Sequence, residues 1–422
     1  MATDKTTLRT LQIIDIGEGG DIEAPTLAKI TPADLARDRG LDVDRLFGAS
    51  IFVDRHIGYA IVHQGAVDKI RVVPPARGID GGDGGFYTNW TATVLSPQNR
   101  RAQPTPADPP PWYVALQGRW PQERGAGACV AIFDSGILSG TRRLPRRINS
   151  GDFCACEGRG LQSSDSSSSF HGTRCAGAAG ARDIGDVRTS PAPDSTLIAA
   201  RVYRYAPELY TSLVDILLML SWVVENAWTP AIVSMSFVLD NDEVDRYPRD
   251  VLHRIVGRLR NNDLALIFAA TELHDANTLS YPGRLDNVVA VGAYQGYLDD
   301  RQKLYIELPL GCNRQPWLDK TDLLFGPANS VRTCDDRQSS AVSYGEVSAA
   351  CAFSAGVAAL YLKQYENGGA GLLNRVVDEM KQHAMPLPDS KIDRYWLAVG
   401  TDPLAMPKLP AATRVVIPCS PE

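Results

Sequence analysis

The apolar positions of this chain fall into a few continuous blocks separated by helical-period stretches. Val130–Phe133, Ala231–Phe237, Leu264–Ala270 and Asn287–Ala293 are short and largely apolar, with no regular polar alternation. Runs of that kind predict strands covered on both faces, as in a parallel sheet. Between them, Leu213, Ile216, Leu217, Leu220, Val223 and Val224 recur at helical spacing within Ser212–Ala227. Two small-residue stretches, one opening at His171 and one running from Ser348 to Leu360, predict helices that can pack closely. Strands alternating with helices predict an α/β domain with a mostly parallel central sheet.

The first hundred residues follow a different pattern. Leu8–Ile16, Ala49–Val53 and Gly58–His63 read as strands, Pro32–Arg39 as a short helix, and Val67–Val73 as either. Together they predict a smaller N-terminal α+β domain over residues 1–95. Glycines crowd Gly78–Gly85 and prolines crowd Ser96–Pro111, which places a linker at 96–116 before the main domain at 117–385. Residues 386–422 carry Pro386, Pro388, Pro403, Pro407 and Pro410 and read as an irregular surface extension. The serine cluster Ser163–Ser169 reads as a solvated loop.

Composition narrows the function classes. With 43 basic and 49 acidic residues among 422, the net charge of −6 offers no footprint for nucleic acid. No run approaches the roughly 18 apolar residues that span a bilayer. The start, Met1 to Thr7, leads into no apolar segment of signal-peptide length. The expectation is a cytoplasmic protein without membrane association. The eight cysteines fit reducing surroundings better than a disulfide framework. Cys129, Cys175 and Cys351 lie in apolar stretches and read as buried thiols, with Cys175 one helical turn after His171. Cys154 and Cys156 have no matching pair at zinc-site spacing, so no metal ligands are assigned.

Candidate chemistry rests on three residues. Asp134 closes the apolar run Val130–Phe133 ahead of Ser135-Gly136; His171 opens His-Gly-Thr; Ser348 stands at the start of its Ala-rich helix. A serine hydroxyl is a weak nucleophile unless an imidazole takes its proton. A buried carboxylate fixes the imidazole tautomer and stabilises the imidazolium. A helix N-terminus at the serine favours a developing oxyanion.

Asp, His and Ser in that order, with these flanking residues, resemble the subtilisin-like serine proteases (subtilases, peptidase family S8). The likeness extends through Ser190–Val202, Ala231–Phe237, Tyr281-Pro282-Gly283 and Asn287–Ala293, from about Gln117 to Met385. It implies a three-layer subtilisin-like fold and a serine endopeptidase with Asp134, His171 and Ser348 as triad. It further implies a protein or peptide substrate, and a groove lined by Ser236, Phe237 and Val238. Calcium accompanies many members, though no ligand cluster here is specific enough to name. Members often carry an N-terminal inhibitory domain; an unrelated recognition module is the other reading of residues 1–95.

The sequence also departs from the family. Glu272 stands where the family has its oxyanion-hole Asn, within Ala269-Ala270-Thr271-Glu272. An ionised carboxylate accepts hydrogen bonds only, so donation needs a protonated Glu272, or Asn277 from the next loop. Phe237-Val238-Leu239 replaces a glycine-rich groove segment and predicts narrow specificity. Two alternatives use the same fold: a catalytically impaired binding or regulatory module, and a peptide-tailoring acyl transferase.

Overall fold

The computed structural model describes residues 11–24, 27–32, 34, 50–73, 86–88, 91–93, 122–138, 141, 144, 147–148, 170–183, 188–206, 208–226, 230–238, 249–272, 278–298, 304–308, 315–328, 331–334, 341–344, 346–365, 367, 369–386, 395–396 and 414–416. The linker region 96–116, the serine cluster, Cys154, Cys156, Leu239, Asn277 and most of Pro32–Arg39 lie outside the described residues.

The N-terminal part is a five-stranded sheet of β1 (Leu11–Asp15), β2 (Ala28–Ile30), β3 (Ser50–Asp54), β4 (Tyr59–His63) and β5 (Phe86–Thr88). Their order is β2-β3-β4-β1-β5, antiparallel except for the β2–β3 pair. Over Val67–Val73, where helix and strand were both open, a 3-10 turn (Gln64–Lys69) runs into the strand Arg71–Val73.

The main domain is built on β6 (Cys129–Asp134), β7 (Thr196–Arg201), β8 (Ala231–Met235), β9 (Ala265–Ala270), β10 (Val288–Leu298) and β11 (Leu323–Pro327). They lie in the order β7-β6-β8-β9-β10-β11, each parallel to its neighbours. Helices α1 (His171–Gly180), α4 (Glu346–Tyr365) and α5 (Leu372–His383) cover one face; α2 (Leu213–Asn226) and α3 (Arg249–Asn261) cover the other. This is the subtilisin-like three-layer α/β arrangement.

Side-chain alternation explains the unbroken apolar runs. In β6, Val130 and Ile132 enter the core under α1 and α4, while Cys129, Ala131 and Phe133 enter the core under α2 and α3. Leu266 and Phe268 against Ala265 and Ile267 divide β9 in the same way. Neither face meets water, so neither needs polar residues.

The chain beyond residue 386 differs from the irregular extension expected. Tyr395–Trp396 pairs in parallel with β11, and Arg414–Val416 pairs with the strand Leu304–Glu307. On its other side Tyr395–Trp396 pairs antiparallel with Met385–Pro386, so Pro386 stands in an edge strand, which makes few demands on backbone donors.

The N-terminal sheet docks on α2 and α3. Leu11, Ile13, Phe52, Tyr59 and Ile61 join the α2/α3 core, while Ile14, Ile51, Val53, Ala60 and Val62 form a small core on the opposite face. The fully buried Tyr59 hydroxyl donates to the Leu217 carbonyl at 2.8 Å and also bonds Ser221. Around the rim, Asp15 bridges Arg254 (2.7 Å) and Arg258 (2.9 Å), and Asn262 donates to Glu18 (2.9 Å). Tyr59→Phe strands buried polar partners and should lower stability by about 1–2 kcal/mol. Tyr59→Ala also opens a cavity and should cost about 3–5 kcal/mol. Urea midpoints of the full chain check both, and equal stability of all three proteins would contradict the docking described.

Candidate active site

The candidate residues gather at the side of the sheet where the parallel strands end, the place at which open α/β sheets present their sites. Asp134 is the last residue of β6 and is fully buried. Ser236 follows β8 directly, and Thr271 and Glu272 follow β9. On the same side, α1 begins at His171, and Ser348 is the third residue of α4.

Two glycines allow this convergence. A Cβ on Gly172 would collide with the Gly136 carbonyl oxygen, so only glycine lets α1 start against the turn after β6. A Cβ on Gly356 would collide with the Ala179 carbonyl oxygen, so α4 meets α1 backbone to backbone. The surrounding Ala176, Ala178, Ala352, Ala355 and Ala359 are all buried.

The structure brings Asp134, His171 and Ser348 into one hydrogen-bonded line. His171 Nδ1 lies 2.8 and 2.9 Å from the two Asp134 carboxylate oxygens. His171 Nε2 lies 3.2 Å from Ser348 Oγ. The Ser348 hydroxyl also reaches the Ser236 carbonyl at 3.0 Å. With Nδ1–H donating to the carboxylate, Nε2 is the nitrogen free to exchange a proton with serine.

Burial alone would push the His171 imidazolium down. The Asp134 charge, with a further contribution from Cys175, outweighs it and holds the ring well above the ordinary histidine range. Cys175 Sγ lies 3.8 Å from Nδ1, and burial pushes its thiol up. Asp134, His171 and Cys175 form the only group of metal-capable side chains found among the described residues.

Ser135 and Ser236 support the site. The Asp134 carboxylate accepts from Ser135 N at 2.7 Å, and Ser135 Oγ accepts from Gly172 N at 2.9 Å. One small polar residue thus ties the end of β6 to the start of α1. Sequence reading passed over it; its only signal was its place directly after Asp134. Ser236 was read as groove lining, but its side chain is fully buried and donates to the Ser348 carbonyl at 3.1 Å.

The expected groove residues Phe237 and Val238 are buried, as Ser236 is. Phe237 is buried and packs edge-on against Tyr203, ring centroids 5.5 Å apart, and Val238 is also buried. The bulk of Phe237 therefore fills the wall behind the site and does not project from it. Extending the β8–β9 register beyond Met235↔Ala269 sets Val238 level with Glu272. The Glu272 backbone is fixed by Ser280, whose Oγ accepts from Glu272 N at 2.8 Å and whose N–H donates to Glu272 O at 2.9 Å. Glu272 itself is exposed, and desolvation raises its carboxyl above the usual range.

The raised imidazole gives a pH signature. Its stabilisation is complete below the ordinary histidine value of about 6.5 and is lost as pH rises through the native value. In a Ser348→Ala background, stability should decline with rising pH across that window by at most about 1.4 kcal/mol per pH unit. Asp134→Asn should flatten the slope. Denaturant midpoints across the window check this, and an unaltered slope in Asp134→Asn would separate the effect from this pair.

Comparison with known proteins follows from this geometry. The subtilase family model (Peptidase S8) matches residues 125–386, more than half of the chain. No curated protein matches the sequence. Among solved structures, a cold-adapted subtilisin-like serine proteinase is 18% identical, covers 66% of this chain and 90% of its own, and has a TM-score of 0.47. The MycP3 protease of the type VII (ESX-3) secretion system is 21% identical over 74% of this chain and 89% of its own, also at 0.47. The patellamide maturation protease PatA is 18% identical over 64% and 94%, at 0.45. The assignment rests on the family match over residues 125–386: this chain belongs to the subtilase family of serine peptidases.

Proposed function

We propose that this protein is a serine endopeptidase of narrow specificity that cleaves peptide bonds through an acyl-enzyme. The observation that carries the reading is the buried line from Asp134 through both nitrogens of His171 to Ser348 Oγ. Neutral His171 takes the Ser348 proton as the hydroxyl attacks the substrate carbonyl, then gives it to the leaving amine. Asp134 holds the ring with Nε2 towards Ser348 and stabilises the imidazolium. Water attacks the acyl-enzyme by the same proton route. The Ser348 position in the first turn of α4 supports oxyanion stabilisation by its own N–H and the helix dipole.

The same proposal gives the N-terminal domain an inhibitory role. The strand Glu208–Ser212, which leads straight into α2, is paired antiparallel with the chain's own Thr91–Thr93. An extended substrate adds to exposed strand edges in the same manner, so the N-terminal segment would compete with it. Loosening the dock with Tyr59→Ala should then speed labelling at temperatures where the variant remains folded.

The direct test is a fluorophosphonate probe. It should label the full chain and leave Ser348→Ala, otherwise equally folded, unlabelled. Absence of labelling at every pH between about 6 and 9 would favour a binding or regulatory module on this fold. Indiscriminate digestion of casein would remove the specificity part of the proposal.

Glu272 stands at the proposed oxyanion site, where its carboxyl, raised by desolvation, can donate only while it is protonated. A group with a raised value loses its proton as pH climbs, so turnover should fall with rising pH on that account. Glu272→Asn supplies a neutral donor and should raise turnover most at high pH, by up to about 3 kcal/mol in barrier. Glu272→Ala should reduce turnover at low pH. If neither variant changes turnover, Glu272 is outside the oxyanion site.

A further inference from the structure

The two halves of a bound peptide have separate places at this site. Ser348 Oγ has His171 Nε2 at 3.2 Å and the Ser236 carbonyl, just past the end of β8, at 3.0 Å. His171 must reach the leaving amine to protonate it, so the leaving half lies over the imidazole. The residue whose carbonyl is attacked is left with the tips of β8 and β9 and the turn at 280–283 that packs on them. What fills that corner decides which side chain can enter it.

The corner is occupied by the chain's own side chains. Thr271, the first residue after β9, is fully buried, and its Oγ1 donates to the Ser280 carbonyl at 3.3 Å. Its side chain lies directly on the Gly283 backbone: a Cβ added at Gly283 would stand 2.5 Å from Thr271 Cβ and 2.8 Å from Oγ1. Ser280 is buried too, its Oγ held between the Glu272 N–H at 2.8 Å and the Glu272 carbonyl at 3.1 Å. Phe237, level with Thr271 when the β8–β9 register is extended, is buried in one cluster with Tyr281. Val238 is buried at the tip of β8. The Thr271 backbone is fixed as well, its N–H donating to the Val291 carbonyl at 3.0 Å. A β-branched side chain on a fixed backbone has few rotamers to retreat to, and turning it away would give up the bond to Ser280.

We propose that the attacked carbonyl belongs to a glycine or an alanine, and that Thr271, together with Val238, enforces this choice. The inference rests on the peptidase reading and names its substrate class: a peptide segment with a small residue immediately before the cleaved bond. A leucine, phenylalanine or lysine at that place must either displace packed atoms or stay in water. The first strains the approach to Ser348 and the second gains no burial. Glycine and alanine need no recess, so the selectivity comes from exclusion of larger groups.

The test uses the full chain and internally quenched peptides that vary only the residue before the cleaved bond, flanked by equimolar residue mixtures. Mass spectrometry of the products fixes the bond cut, and fluorophosphonate labelling reports the triad without needing a substrate side chain. The kcat/KM for the glycine or alanine peptides should exceed that for the leucine, phenylalanine and lysine peptides by at least about tenfold. Thr271→Gly removes the filling group and should raise the phenylalanine-to-alanine ratio of kcat/KM by at least about tenfold. Thr271→Ala serves as a second variant should the glycine form fold poorly. A labelled chain that cuts after leucine or phenylalanine as well as after alanine overturns the proposal, as does one that cuts no member of the set. A ratio unmoved in both folded Thr271 variants removes Thr271 from the role. A chain that neither labels nor cuts removes the peptidase reading itself, and this inference with it.

Discussion

The contact between α1 and α4 is the constraint on which the rest of the site depends. His171 and Ser348 are 177 residues apart in sequence, yet their side chains meet at 3.2 Å. Only a backbone-to-backbone approach permits that, because neither side chain is long. Gly356 against the Ala179 carbonyl fixes the separation of the helices, and Gly172 against the Gly136 carbonyl fixes α1 against β6. A methyl group at either place would push its helix away and stretch the hydrogen-bonded line. The small residues that make this possible bury little area each. The layer is held mainly by larger groups on the sheet side, such as Phe268, Phe325 and Trp317, whose cluster includes the alanines of both helices.

Much of the main domain was legible because its physical requirements are local. A strand between two helical layers must be apolar throughout, and β6, β8 and β9 read that way. The three candidate catalytic residues also carried local signals, since each needs a strand end or helix start with small neighbours. Other features depend on partners far away in sequence. Nothing near Tyr59 announces a bond to Leu217, 158 residues on. The bulk of Phe237 suggested a narrowed groove, and its burial is settled only by Tyr203 across the fold. Helix α3 was missed altogether: Val251, Leu252, Ile255, Val256 and Leu259 form a clear apolar stripe, but charged residues between them dilute the run. The strands Tyr395–Trp396 and Arg414–Val416 were hidden by surrounding prolines, since strands of two and three residues leave no period to read.

The docking of the N-terminal sheet shows how one element can serve two layers. Helix α2 contributes Leu213, Ile216, Leu217, Leu220 and Val224 to a core shared with β1, β3 and β4 on one side and the parallel sheet on the other. A helix apolar around most of its circumference needs cover all round. Without the N-terminal sheet, much of that surface would meet water. The hydrophobic pattern of α2 therefore carried a sign of a second covering layer, readable as an unusually apolar surface helix. The bonds of the buried Asp15 carboxylate to the partly exposed Arg254 and Arg258 then fix orientation at the rim.

The electrostatics of the buried line set a tension within the proposed chemistry. Holding the His171 imidazolium beside the Asp134 carboxylate favours the charged form over the neutral ring. That preference is useful in the transition state, where Ser348 has given up its proton and the ring carries positive charge. It is unfavourable in the resting protein, where the base must first be neutral. The two effects share one origin and cannot be tuned apart by changing Asp134 alone. Cys175 lies near the same ring nitrogen, its Sγ 3.8 Å from Nδ1, and adds to the preference for the charged form.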